Sequence, residues 1–256
     1  MNTFKSFSKL HQGETPLLLA NIWDVHSALV FERAGYQAIG TSSMAVARAW
    51  GYDDGENLPF DTLLQVVKRV TAAVRVPVTV DLEGGYSRTP QGIVEHIKML
   101  HGLGVAGINL EDTIPAATRQ LRPIAEFQTL LAAIADSLTR DNIEIFLNIR
   151  TDAFLLGLPQ ALTETLDRIK AYESLGADGI FVPGITSGSD IQQIVKATPL
   201  PINVMCMPSL PDFKTLGSLG VKRISMGPFL QNQIHSKTED AAKAVIQQQN
   251  FSSLFV

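Results

Sequence analysis

Eight short apolar runs, each separated from the next by a longer stretch of helical periodicity, leave this chain few folds to choose from. They are LLLANI (17–22), QAIGTSS (37–43), PVTVDLE (77–83), AGINLED (106–112), EIFLNIR (144–150), GIFVPG (179–184), PINVMC (201–206) and KRISMG (222–227). Such runs suit parallel strands covered on both faces, and eight of them predict an α/β fold closed as a single (β/α)8 barrel of the TIM type. The length of 256 residues is that of one such barrel. No linker or shift in composition interrupts the pattern. One domain is therefore expected over 1–256, with a short N-terminal helical extension at about 1–15.

Punctuation supports the count. Gly35, Gly104, Gly176 and Gly220 stand a few residues before a run, where a left-handed residue ends a helix. Pro59, Pro90, Pro123, Pro159 and Pro211 stand where the following helix begins, the position that best tolerates a missing N–H. The longest irregular stretch is TIPAATRQLR (113–122), after the fourth run, where a barrel carries its active-site loops.

Composition then excludes whole classes of function. The single cysteine forbids an internal disulfide, and the first residues lack the apolar core of a signal peptide, so a cytoplasmic location is expected. No apolar run reaches the ~20 residues of a membrane helix. A formal net charge of −4 argues against nucleic-acid binding, although charge alone says nothing about small anions held in a pocket.

Catalytic groups of a parallel barrel come from the C-terminal strand ends. The third run ends Val80-Asp81-Leu82-Glu83, and strand alternation predicts both carboxylates on one side. The fourth ends Asn109-Leu110-Glu111-Asp112, the fifth places Asn148, Arg150 and Asp152 in alternation, and the seventh contributes Asn203. Convergence of Asp81, Glu83 and Glu111 would be costly without a cation to offset it. A hard ion, Mg2+ or Mn2+, meets that need with oxygen ligands; an ion-pair network around Arg150 is the alternative. After the second run, Thr41-Ser42-Ser43-Met44-Ala45 are small residues whose N–H groups can approach an anion, or simply pack tightly. Asp53 and Asp54 add acid to the same face or form a solvated turn beside Gly55.

Other residues offer less. Cys206 has no histidine near it in sequence and is expected to be a buried, inert thiol. His11, His26, His96, His101 and His235 show no metal-ligand spacing and are expected at the surface or as caps. Lysines avoid the strand C-termini, which disfavours Schiff-base chemistry, and no GxGxxG or GxxxxGK[ST] motif is present.

With those residues in view, the chain resembles the isocitrate lyase and phosphoenolpyruvate mutase superfamily, especially its short bacterial members. The resemblance rests on LLLANIWDVHSA (17–28), GTSSMAVARAWGYDDGE (40–56), PVTVDLEGGY (77–86), GINLED (107–112), FLNIRTDAFL (146–155), GADGIFVPG (176–184), PINV (201–204) and GVKRISMGP (220–228). It implies a (β/α)8 barrel, Mg2+ dependence, and a homotetramer whose subunits exchange the last helix in pairs. It implies Asp81 as the principal metal-site residue, with Asp54, Glu83 and Glu111 holding the ion through water. It further implies that Ser42, Ser43 and Met44 bind a substrate carboxylate, that Arg150 binds substrate, and that Trp23, Asp24 and Asn203 line the pocket. The family's lyases carry a KKCGH or KRCGH loop with an acid–base cysteine, where this chain reads Thr113-Ile114-Pro115-Ala116-Ala117-Thr118-Arg119-Gln120. They also place a glutamate near Val182-Pro183-Gly184, and the phosphonate-forming mutases an asparagine in their gate, neither of which is evident here.

The resulting expectation is a Mg2+-dependent lyase that cleaves or decarboxylates a small 2-oxo or 2-hydroxy di-acid through an enolate. Arg150 would be catalytic, and Asp54 would serve as base if a retro-aldol step is needed. Chemistry at a C–P bond and a non-catalytic oxyacid-binding protein are the alternatives.

Overall fold

The structure is a computed structural model and describes residues 3–114 and 119–255. Eight parallel strands close the barrel: β1 (Leu17–Ile22), β2 (Ile39–Thr41), β3 (Val78–Asp81), β4 (Gly107–Glu111), β5 (Phe146–Arg150), β6 (Gly179–Val182), β7 (Ile202–Met205) and β8 (Arg223–Ser225). Their hydrogen-bonded order follows the chain around the circle, and β8 returns to β1 with Leu17 opposite Arg223. Each expected run supplies one strand, though several strands are shorter than their runs. The β4–β5 register sets Asn109 opposite Asn148 and Glu111 opposite Arg150, which brings an acid and a guanidinium together at the barrel mouth.

The helices are α1 (Thr3–Leu10), α2 (Val25–Arg33), α3 (Ser43–Ala49), α4 (Phe60–Ala73), α5 (Pro90–Gly102), α6 (Ile124–Arg140), α7 (Ala161–Tyr172), α8 (Gly188–Ala197), α9 (Phe213–Ser218) and α10 (Phe229–Gln248). On α4 the buried residues are Leu63, Val66, Val67 and Val70, an i, i+3, i+4, i+7 stripe that faces the strands. On α6 the stripe is Phe127, Leu131, Ile134 and Leu138. These side chains form one continuous core with the outward-facing strand residues Val80, Ile108, Ile149 and Ile180. Pro90 opens α5 behind the Thr89 cap, and the four helix-ending glycines all have positive φ, between 82° and 93°.

The inside of the barrel is filled from below. Phe7 of α1 packs with Leu17, Leu19, Ala38, Ala106 and Phe146, and this second cluster closes the N-terminal end. His11 belongs to that plug: of the two roles expected, surface or cap, it takes the second, at the end of α1, but in a buried position. Its ring stacks on Phe146 with centroids 4.5 Å apart, its Nδ1 pairs with the Phe7 carbonyl oxygen, and burial pushes it down to about 3, so it is neutral.

In the stretch after β4, Thr113–Ile114 and Gln120–Leu121 form a small antiparallel ribbon where an irregular loop was expected. Pro115, Ala116, Ala117 and Thr118 lie outside the described residues. Among the described residues no helix is long and apolar enough to cross a membrane.

Candidate active site

A cavity of about 210 Å³ opens at the C-terminal end of the strands. That is smaller than the ~300–1,000 Å³ of sites for drug-sized ligands, and it suits a molecule of few atoms. Its polar wall includes Asn21, Ser42, Ser43, Asp54, Asp81, Arg119 and Arg150, and its apolar wall includes Met44, Leu155, Phe181, Met205 and Phe229.

Asp81 ends β3 and is tightly held. Its N–H donates to Thr41 Oγ1 at 2.9 Å, and its Oδ2 accepts from Ser43 Oγ at 2.9 Å. Its Oδ1 accepts a longer contact, 3.5 Å, from Asn109 Nδ2, while Asn109 Oδ1 takes a 2.8 Å bond from Asn148 Nδ2. Ser42 caps α3 by accepting the Ala45 N–H, so the first-turn backbone of Ser43 and Met44 stands at the cavity wall.

Arg150 ends β5 and is buried. Asp152 grips it at two points, Oδ1 from Nε at 2.6 Å and Oδ2 from Nη2 at 3.0 Å. Its remaining Nη1 lies 3.2 Å from Glu111 Oε2 and 4.0 Å from Asp81 Oδ2, and the Phe181 ring lies 5.7 Å away. Burial works against the charge, but Asp152, Glu111 and Asp81 outweigh it and hold this guanidinium above its ordinary range.

Glu83 does not continue the strand alternation that was expected to align it with Asp81. The β3 strand ends at Asp81, and although the Leu82 N–H still donates to the Asn109 carbonyl and the Glu83 carbonyl still accepts the Glu111 N–H, Glu83 itself is in a left-handed conformation, φ 51°. Glu56 and Tyr86, also at positive φ, hold it there: Glu83 accepts the Glu56 N–H at 2.9 Å and the Tyr86 hydroxyl at 2.9 Å. Burial, then the charges of Asp54, Asp81 and Glu111, push its carboxyl up to about 8. Glu111 is pushed up to about 7 by burial together with Asp152 and Asp81, against the pull of Arg150 and Arg119. Glu83 and Glu111 are buried and are not part of the cavity wall.

Three further residues complete the site: Asp152, noted at its strand end but given no role, and Arg119 and Asn21, which were not expected there. Arg119 reaches the acids from the ribbon, Asp152 anchors Arg150, and Asn21 Oδ1 accepts the Met226 and Gly227 N–H groups at the cavity wall. Asp152 shows in the sequence as the next residue in alternation after Arg150, whereas Arg119 carries no signal beyond being a cation in the loop after β4. Of the residues expected in the pocket, Asn203 is buried below it with Ser225 Oγ on its Oδ1. Trp23 is half-buried against the core, and Asp24 is exposed and caps α2 by accepting the Ser27 N–H. Neither lines the cavity. Cys206, expected to be buried, is exposed just past β7 and is not part of the cavity wall.

The donor set suits a hard cation. Five carboxylates, from Asp54, Asp81, Glu83, Glu111 and Asp152, face two guanidiniums, and all candidate ligands are oxygens. Asp54 Oδ1 and Glu111 Oε2 are buried with no aligned hydrogen-bond partner, although Glu111 Oε2 lies 3.2 Å from Arg150 Nη1. As they stand, no three acidic, histidine or cysteine side chains among the described residues converge on one point.

A family model described as phosphoenolpyruvate phosphomutase matches residues 7–246. The chain belongs to that family. Among its relatives is an uncharacterised protein of Mycobacterium tuberculosis, 34% identical over 87% of this chain and 81% of that one. The 2-methylisocitrate lyase of Salmonella typhimurium is 29% identical over 79% of this chain and 70% of the lyase. An oxaloacetate decarboxylase of Bradyrhizobium sp. is 28% identical over 83% and 73%. A crystal structure from Burkholderia cenocepacia J2315, of a protein assigned provisionally as a phosphonomutase, superposes with TM-score 0.89 at 39% identity, covering 95% of this chain and 100% of that one. The phosphoenolpyruvate phosphomutase family thus includes lyases and mutases of small acids, and this chain is an enzyme of that superfamily.

Proposed function

We propose that this protein decarboxylates or cleaves a small 2-oxo or 2-hydroxy di-acid of the oxaloacetate type, and that it depends on Mg2+, with Mn2+ as a substitute. The observation that carries this reading is a small cavity with an anchored guanidinium, Arg150, beside carboxylates and first-turn amides, and with no thiol in its wall. The chain's one cysteine is elsewhere, so acid–base chemistry by a gate thiol is not available to it. Loss of CO2 from a 2-oxo di-acid needs no such group. The electron pair of the breaking C–C bond moves into the carbonyl and forms an enolate, which then takes a proton from solvent.

Asp81, Glu83, Glu111 and Asp54 are the residues that would hold the ion, directly or through water. When bound, it supplies Lewis-acid polarisation of the substrate carbonyl. The chain's own groups do the rest. Arg150 sits where it can balance the negative charge that develops, and Asp152 keeps it oriented. The amides of Ser43 and Met44 can receive one substrate carboxylate at the start of α3. Asp54, with a buried oxygen free of hydrogen bonds, is the base if the substrate is a 2-hydroxy acid and cleavage is retro-aldol.

Family membership and the phosphonomutase-like neighbour support a second reading, C–P bond chemistry in the same cavity. A panel of 2-oxo and 2-hydroxy di-acids plus phosphonopyruvate, assayed with and without Mg2+ and followed by proton and phosphorus NMR, separates the two. The first reading expects CO2 or C–C products and no inorganic phosphate. Phosphate or a phosphoryl-transfer product from phosphonopyruvate favours the second, and saturable acid binding with no product from any of them favours a binding protein.

The proposed assembly is a homotetramer with α10 exchanged between paired subunits. Only Gln231 of its 20 residues is buried, and Ile246, Phe251 and Phe255 at its far end are 65–85% exposed. Such an apolar tip calls for a covering surface. Light scattering in solution is expected to give the mass of four chains, and a monomer would refute the exchange.

A further inference from the structure

Arg119 occupies an unusual position for a loop cation. Its side chain is three-quarters buried, and its guanidinium touches three carboxylates at once: Nη1 lies 3.2 Å from Asp152 Oδ2, and Nη2 lies 3.4 Å from Glu111 Oε1 and 3.7 Å from Asp54 Oδ2. Glu111 and Asp54 are two of the four acids that would hold a divalent ion on the reading above. The guanidinium therefore sits on oxygens that an ion would need.

Both arginines of the site share Glu111 and Asp152, but they are not equally anchored. Arg150 makes two short bonds to Asp152 and is buried on β5. Arg119 makes one hydrogen bond to the same residue, and its other two contacts are long. A divalent ion arriving at Glu111 and Asp54 adds a third like charge to this cluster, and repulsion then expels the more weakly held cation. Arg119 already forms part of the cavity wall, so a guanidinium freed from the acids stays within reach of whatever the cavity holds.

A di-acid brings the matching partner. One of its carboxylates is accounted for by Arg150 and the start of α3, while the other is best met by a second planar, bidentate cation within the same cavity. We propose that Arg119 is the resident counter-cation of the ion-free acid cluster and, once an ion displaces it, the residue that selects substrates with a second carboxylate. This inference rests on the reading that the cluster takes up a divalent ion.

The test uses Arg119→Gln and Arg119→Lys with Mn2+ alone, and then with malonate or acetate as unreactive acid probes in saturating Mn2+. Binding is followed by calorimetry, and thermal unfolding confirms that each variant is folded. Arg119→Gln is expected to bind Mn2+ about tenfold more tightly, because the competing cation is gone, and to lose tenfold or more in affinity for malonate while acetate binding is unchanged. Arg119→Lys, which keeps the charge but not the fork, should bind Mn2+ like the wild type and malonate less well. Equal or weaker Mn2+ binding by Arg119→Gln overturns the counter-cation role, and unchanged malonate affinity overturns the selectivity. Absence of any saturable Mn2+ binding by the wild type overturns the ion site itself, and with it this proposal, an outcome distinct from the first two.

Discussion

Asp152 shows how much of this site depends on a residue that does not line the cavity. It is fully buried, and both of its oxygens are spent on arginines. Asp152→Ala is expected to leave the buried Arg150 charge poorly compensated and to destabilise the protein by about 3–5 kcal/mol, read by urea unfolding. Asp81→Ala and Arg150→Ala should each remove nearly all turnover, measured with the best di-acid from the panel. His11 makes the pH prediction. Its folded value near 3 lies below its unfolded value of 6.5, so between those limits only the unfolded chain takes up the proton. Stability is therefore fully present above pH 6.5 and falls as the solution is acidified. Relative to His11→Gln, the wild type should lose about 3 kcal/mol more on going from pH 6.5 to roughly 4, at ~1.4 kcal/mol per unit. Unfolding curves of the two proteins across that window check it, and parallel curves would contradict it.

At the scale of elements, legibility in the sequence followed physical regularity. The strands were readable because burial on both faces demands apolar runs, and the helix ends because only a few residues tolerate positive φ. Arg150 was readable as the last residue of its run, and Asp81 as an acid near the end of a run expected to reach Glu83. Alternation past Asp81 did not reveal the left-handed backbone at Glu83, because that conformation depends on contacts from Glu56 and Tyr86. Arg119 was missed because a loop residue acquires its partners from tertiary structure, and two of its three acids, Asp54 and Asp152, come from distant parts of the chain. The burial of the His11 cap and the exposure of Cys206 were not legible, since neither apolar helix packing at the barrel floor nor exposure past β7 leaves a local pattern. The apolar stripe of α6 makes its own prediction. Leu131→Ala, buried against the core and far from the carboxylates in sequence, should cost about 2–5 kcal/mol in unfolding free energy and leave KM unchanged.

Across the whole molecule, a barrel closed at one end by α1 and open at the other concentrates acid at its mouth, although the net charge is only −4. Burial leaves Glu83 and Glu111 partly protonated near neutrality, a state that a bound cation would reverse by drawing off their protons. The most direct measurement is di-acid turnover by chelator-stripped protein as Mg2+ is added back, for the wild type and for Asp81→Ala. Silence after stripping, recovery of the wild type with Mg2+, and no recovery of Asp81→Ala are expected. Undiminished turnover in the presence of chelator, or in Asp81→Ala, would contradict the account.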